Sequence, residues 1–216
     1  MTSFATFLRR FALLGLFMAL AACDAGTKEL TEEPPVDLGN FALGHNVVVA
    51  EGMQQGPFSR KATEEEVQTA LQSAIGQRFG RQDGDKLYHL GLKVEVYALA
   101  LPGVPVVLTP KSVLAVAANV WDDEKGVKLN DEPKLLTVFE GVSGSTIVGS
   151  GLTRRKDEQL EILSRNMARA VERWLLENGQ WFDIDPDDIP PPSDDDPLAA
   201  LSGGKQTLPE AAAATN

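Results

Sequence analysis

The stretch His89-Leu90-Gly91-Leu92-Lys93-Val94-Glu95-Val96-Tyr97-Ala98-Leu99-Ala100 alternates without interruption. Leu90, Leu92, Val94, Val96, Ala98 and Ala100 fall on one side of an extended chain, and His89, Gly91, Lys93, Glu95, Tyr97 and Leu99 on the other. Successive side chains of a strand point to opposite faces, so the first set predicts a packed face and the second a wetter one. This is the pattern of a long antiparallel strand in a sheet covered on one side.

Before this strand, Gln82-Asp83-Gly84-Asp85 is a turn signal, and before the turn lies a helix. Thr63 with Glu66 three residues on makes a capping box. Val67, Ala70, Leu71, Ala74, Ile75 and Phe79 then recur at helical spacing, and Gly80 stops them. Asn46 to Ala50, with Val47-Val48-Val49 between two glycines, predicts a first strand.

After the strand, Val113 to Trp121 reads as its successor, Asp122-Asp123-Glu124-Lys125-Gly126 as a polar turn, and Leu135 to Glu140 as a further strand. Val127-Lys128-Leu129 is left open as a short separate strand. The spacing of Leu160, Leu163, Met167, Ala170, Val171 and Trp174 predicts a second helix from Arg155 to Asn178, with Glu161 and Arg165 paired at i,i+4. Trp181 and Phe182 are expected to pack back on the domain edge.

The order is β-α-β-β-β-α. Each helix carries one apolar stripe, so both belong on the same face of one antiparallel-rich sheet, giving an α+β two-layer sandwich over residues 46–182. Residues 183–216 are rich in acid, proline and alanine, have little to bury, and predict disorder.

The 216 residues carry 31 Asp and Glu against 20 Lys and Arg, a formal charge of −11. An acidic chain without a basic stripe argues against nucleic acid, and equally against electrostatic docking on anionic lipid. Cys23 is the only cysteine, so no disulfide forms within the chain.

Arg9-Arg10 precedes an apolar run from Phe11 to Leu20, which closes on Leu20-Ala21-Ala22-Cys23. A basic start, a short apolar centre and small residues before a cut describe a secretory signal. The run is shorter than the ~20 residues that cross a bilayer. Leu20-Ala21-Ala22-Cys23 resembles the lipobox of bacterial lipoproteins. The resemblance implies cleavage between Ala22 and Cys23, a diacylglycerol on the Cys23 thiol, and an acyl group on its new amino end. Residues 1–22 are then a signal peptide, residues 23–45 a lipidated tether, and the domain stands in the periplasm on a membrane anchor. Arg9-Arg10 also resembles a twin-arginine signal, with the aromatic Phe11 one place early, so general secretion and twin-arginine export both stay open. Asp24 resembles the residue that retains some lipoproteins at the inner membrane and tilts the expectation that way, with the outer membrane still open.

The element order over residues 46–182 is similar to that of periplasmic lipoproteins of envelope transport and assembly, such as the lipopolysaccharide-assembly lipoprotein and auxiliary lipoproteins of lipid-transport systems. At the level of fold, this implies a non-catalytic binding or assembly module. Its partners would be the membrane, through the lipid, and an unidentified envelope protein or lipid.

No residue pattern announces catalysis, a cofactor or a metal. His45 and His89 have no second ligand at metal spacing. Gly141-Val142-Ser143-Gly144-Ser145 departs from a nucleophile elbow at Ser145. Asp183, Asp185 and Asp187 open like a calcium loop, but Asp188 stands where glycine is needed and the closing glutamate is missing. Carboxylates such as Glu95 and Glu140 that meet only in the fold leave no pattern, so an enzyme stays open as the alternative, as does a structural lipoprotein without a discrete ligand. The apolar, proline-broken segment from Leu101 to Pro110 has two readings. It closes an open end of the sandwich, or it presents Leu101, Val104, Val106, Val107 and Leu108, with Tyr97 and Leu99 nearby, to lipid or a partner.

Overall fold

The computed structural model describes residues 36–101, 112–140 and 155–189. Its strands are β1 (Phe41–Val49), β2 (Gln54–Gln55), β3 (Lys86–Ala98), β4 (Val113–Asp122), β5 (Val127–Lys128) and β6 (Lys134–Phe139). Helix α1 (Glu64–Phe79) falls between β2 and β3, and α2 (Lys156–Glu177) follows β6. Short 3-10 turns at Gly179–Trp181 and Pro186–Asp188 end the described chain.

The two-layer α+β sandwich is the observed architecture. In the sheet, β3 and β4 are central, β1 and the short β2 lie on β3, and β5 and β6 lie on β4. Helix α1 covers β1, α2 covers β4 and β6, and the helices pack on each other. Both therefore occupy one face. The buried side chains Val67, Leu71, Ile75 and Phe79 of α1 and Leu163, Met167 and Val171 of α2 join Leu90, Leu92, Val94, Leu114, Val116 and Val120 of the sheet in a single core.

Local chemistry explains the helices. Thr63 accepts from the Glu66 N–H and the Glu66 side chain accepts from the Thr63 N–H, which closes the capping box, while Glu64, Glu65 and Glu66 meet the positive end of the helix dipole. Helix α2 has no side-chain cap at Arg155, and its apolar side chains tie it to the fold instead.

The sheet is mixed and antiparallel-rich, as expected, but the long strand β3 is antiparallel on one side only, which corrects that part of its reading. β1 pairs with β3 in parallel, Val47 beside Gly91 and Val49 beside Lys93, because α1 carries the chain back to the end from which β1 started. The β3–β4 and β4–β6 pairs are antiparallel.

A second correction concerns the face of β3. Tyr88, Leu90, Leu92 and Val94 are buried against the helices, but so are Tyr97 and Leu99, which strict alternation places on the wetter side. The register shifts between Val94, opposite Val116, and Val96, opposite Ala115. Glu95 is the extra residue of a β-bulge, and a one-residue slip moves every later side chain to the other face.

The described packing also extends beyond the expected borders at both ends. β1 begins at Phe41, within the stretch read as tether. The Phe41 ring stacks on Tyr88 at 5.5 Å, and Phe182 stands edge-on to both, at 5.4 and 4.9 Å. Past residue 182, Asp183 binds Asn40 and Lys86, and Ile184 and Ile189 pack on the core, so this part of the acidic segment belongs to the fold.

Candidate functional site

Among the described residues both helices lie on one side of the sheet and no helix lies on the other. Val47 and Val49 of β1, Leu87 of β3 and Leu135 of β6 remain 53, 42, 49 and 42% exposed on it. Each follows from the pleat: Val49 lies beside Lys93, Lys93 opposite Ala117, and Ala117 opposite Leu135, one row across four strands on the side away from the core.

Trp121 lies across this face. Its six-membered ring covers Gly91, where an added Cβ would come within 2.6 Å of Cζ3. An aromatic on the neighbouring strand thus supplies the packing that the glycine lacks. Directly opposite Trp121 is His89.

The structure brings together the two histidines that the sequence separates. The His45 N–H donates to His89 Nδ1 at 2.8 Å, His89 Nε2 meets Asp123 Oδ1 at 2.7 Å, and the two rings lie 4.8 Å apart. A backbone N–H can only donate, so Nδ1 is the acceptor, and the ring proton sits on Nε2 and points at Asp123. Gly44 makes the approach possible, because a Cβ there would stand 2.5 Å from His89 Nδ1. Both ring nitrogens of His89 are thereby committed, which does not fit a metal ligand. Among the described residues, no group of three or more His, Cys, Asp or Glu is placed to hold a metal ion.

The acids named as candidates for an enzyme have separate partners. Glu95, at the bulge, pairs with Lys93. Glu140 is buried and accepts from the Ser112 hydroxyl, which in turn accepts from the Ala100 N–H at 3.0 Å. Gln159, fully buried in the first turn of α2, donates to the Ala100 carbonyl. This buried set, which no sequence pattern announces, braces the ends of β3, β4 and β6 against α2. Of the three spaced carboxylates, Asp183 holds Lys86 and Asn40, and Asp185 caps the turn by accepting from the Asp187 N–H.

Of the proposed contact loop, only Leu101 is described, and it is half-buried. Val104, Val106, Val107 and Leu108 lie outside the described residues, as do Ala22, Cys23 and the Gly141–Ser145 segment. Tyr97 and Leu99, expected beside that loop on the wetter face, are core residues, and Tyr97 uses its hydroxyl to hold the Ala62 backbone. Among the described residues, no helix is long and apolar enough to cross a membrane.

No protein-family model matches the chain, and no curated protein matches it significantly. Among solved structures, the chain is similar to a Xanthomonas campestris protein of the DUF330 family, at 12% identity over 69% of this chain and 93% of that one, with a TM-score of 0.43. It is similar to a candidate lipoprotein of Caulobacter crescentus CB15, at 15% identity over 73% of this chain and 95% of that one, with a TM-score of 0.30. It is also similar to the PelC dodecamer of Paraburkholderia phytofirmans, at 12% identity over 61% of this chain and 91% of that one, with a TM-score of 0.28.

Proposed function

We propose that this chain is a lipid-anchored lipoprotein of the bacterial envelope that works as a non-catalytic docking module, holding the helix-free face of its sheet against an envelope partner. The observation that carries the reading is the one-sided sandwich: Val47, Val49, Leu87 and Leu135 stay exposed around Trp121 while both helices pack on the opposite face. Exposed apolar side chains gathered on one face mark contact surfaces, whereas singly scattered ones need no explanation. Acylation at Cys23 would confine the domain to the membrane plane, and a tether raises the effective concentration at any partner within reach.

The test has two parts. Cys23→Ser is expected to abolish labelling by a fatty-acid probe and to release the chain from membranes; unchanged labelling sinks the anchor. Photo-crosslinking residues at Val49 and Leu135 are expected to give adducts in intact cells that are absent from Gln68, an exposed position on α1. Equal adducts at all three positions sink the docking face.

A further inference from the structure

The loop from Gly56 to Lys61 holds two local violations of folding chemistry within three residues. Phe58 is 74% exposed and has a φ of 53°. That left-handed conformation is unfavourable for a bulky side chain, and burial of the ring does not compensate it. Two residues on, Arg60 Nε is buried without a hydrogen-bond acceptor, an arrangement that folded chains generally avoid.

The strain is imposed by the scaffold. On one side of Phe58 the Gly56 N–H donates to the Tyr97 carbonyl at 2.8 Å. On the other, the Leu99 N–H donates to Ser59 Oγ at 2.8 Å and the Arg60 N–H to the Leu99 carbonyl at 2.9 Å. Gln55 Nε2 spans the loop to the Ser59 carbonyl. The loop is stitched to the end of β3 on both sides of the aromatic ring, and the ring is held out.

Charge adds to this, although Lys128 and Lys134 elsewhere likewise lack a carboxylate partner among the described residues. Lys86, Lys93, Lys125, Arg155 and Lys156 each have a carboxylate partner. Arg60 and Lys61 have none among the described residues. Of the nearby acids, Glu64 is engaged by the Gly52 N–H, and Glu66 by Thr63 and Lys156.

We infer that Phe58 and Arg60 form a docking epitope for a protein partner that offers an apolar pocket to the ring and a carboxylate at its rim to the guanidinium. Aromatic and arginine side chains dominate binding energy when a pocket removes them from water. A backbone already fixed on both sides of the ring loses little freedom on binding. The epitope lies beside Leu99, whereas β1 starts beside Lys86, at the other end of β3. Thirteen residues of strand separate the two ends, about 40 Å at 3.3 Å per residue. The partner is therefore engaged at the pole away from the root of the N-terminal segment. This deepens the docking reading with a second surface, and it does not depend on acylation of Cys23.

The test uses the full chain. Phe58→Gly removes the strained side chain and is expected to leave Tm equal to or above that of the parent; a clear fall shows that the ring is structural and overturns the epitope. A photo-crosslinking phenylalanine analogue at 58 in intact cells is expected to yield one discrete protein adduct, reduced at least fivefold by Arg60→Glu. Its attachment point is expected in an apolar segment carrying Asp or Glu. Adducts only to lipid, an adduct indifferent to Arg60→Glu, or attachment beside a basic cluster each overturn the inference. Membrane association of the same chain is read in parallel, so a failed anchor and a failed epitope give different results.

Discussion

Arg78, in the last turn of α1, forks onto Glu172 of α2, with Nε on Oε1 at 2.9 Å and the second contact from its terminal nitrogen to Oε2. Both side chains are buried, at 6 and 7% exposure. Two charges taken out of water are expensive, and their pairing repays the cost only while both are present. The fork fixes how the two helices lie on each other more than it adds net stability. Arg78→Met is expected to cost about 3–5 kcal/mol in urea denaturation, because it leaves the Glu172 carboxylate buried without its partner. Arg78→Met with Glu172→Leu is expected to recover most of that loss. A double variant as unstable as the single one shows that the remaining contacts of Arg78, and not the pair, set the cost.

Trp121 and Gly91 give a second coupled pair. Gly91→Ala sets a methyl against the Trp121 ring at 2.6 Å, and overpacking of this kind costs roughly 1–3 kcal/mol. In a Trp121→Ala background the same change is expected to be neutral or stabilising, since alanine suits a strand better than glycine does. A double-mutant cycle measures the coupling. Additive effects mean that the ring does not cover Gly91 in solution.

The bulge at Glu95 shows what the sequence reveals and what it conceals. Both helices were legible to within a residue, because caps and a 3.6-residue period are local signals, as Thr63, Glu66 and Gly80 show. The helix-free sheet face followed from counting apolar stripes. The parallel β1–β3 pair was implicit in a helix standing between two strands. The bulge was hidden because Tyr97 and Leu99 are as apolar as Val96 and Ala98, so either face satisfied the pattern. The His45–His89–Asp123 chain and the Phe58 loop depend on contacts between distant residues and on backbone torsion, and neither leaves a trace in spacing.

The bulge has its own test. Inserting an alanine between Val96 and Tyr97 turns Tyr97 and Leu99 outward, or forces β3 to slip against β4, whereas deleting Glu95 removes only the extra residue and leaves both facing the core. Each buried side chain moved to water costs roughly 1.5–3 kcal/mol, so the insertion is expected to lower stability by several kcal/mol or prevent folding, and the deletion to cost much less. Glu95→Ala keeps the residue count and is expected to change stability by less than about 0.5 kcal/mol. Equal effects of the insertion and the deletion, read by the urea midpoint, remove the bulge from the account of this strand.

The two ends of the described chain meet at Asp183. Hydrogen bonds from Asn40 and Lys86, together with the Lys86 charge, hold the Asp183 carboxyl below the usual aspartate range, and the same contact raises the Lys86 ammonium. A carboxylate depressed on folding contributes stability that is present above its unfolded pKa and is lost as pH falls through its folded one. For Asp183 that window begins near the ordinary aspartate value of about 4 and extends below it. Tm is therefore expected to be flat from neutral pH down to about 5 and to fall below about 4, with Asp183→Asn removing part of the fall. Lys86→Met is expected to flatten the same limb, because it removes one of the groups that depress the carboxyl. Both contacts are solvent-exposed, so the change is small and weakens in high salt. If both variants keep the parent's acid limb in full, the clasp between Asp183, Asn40 and Lys86 contributes nothing to acid sensitivity, which then belongs to other carboxylates such as Asp122, whose pKa is lowered by its hydrogen bonds with Lys125.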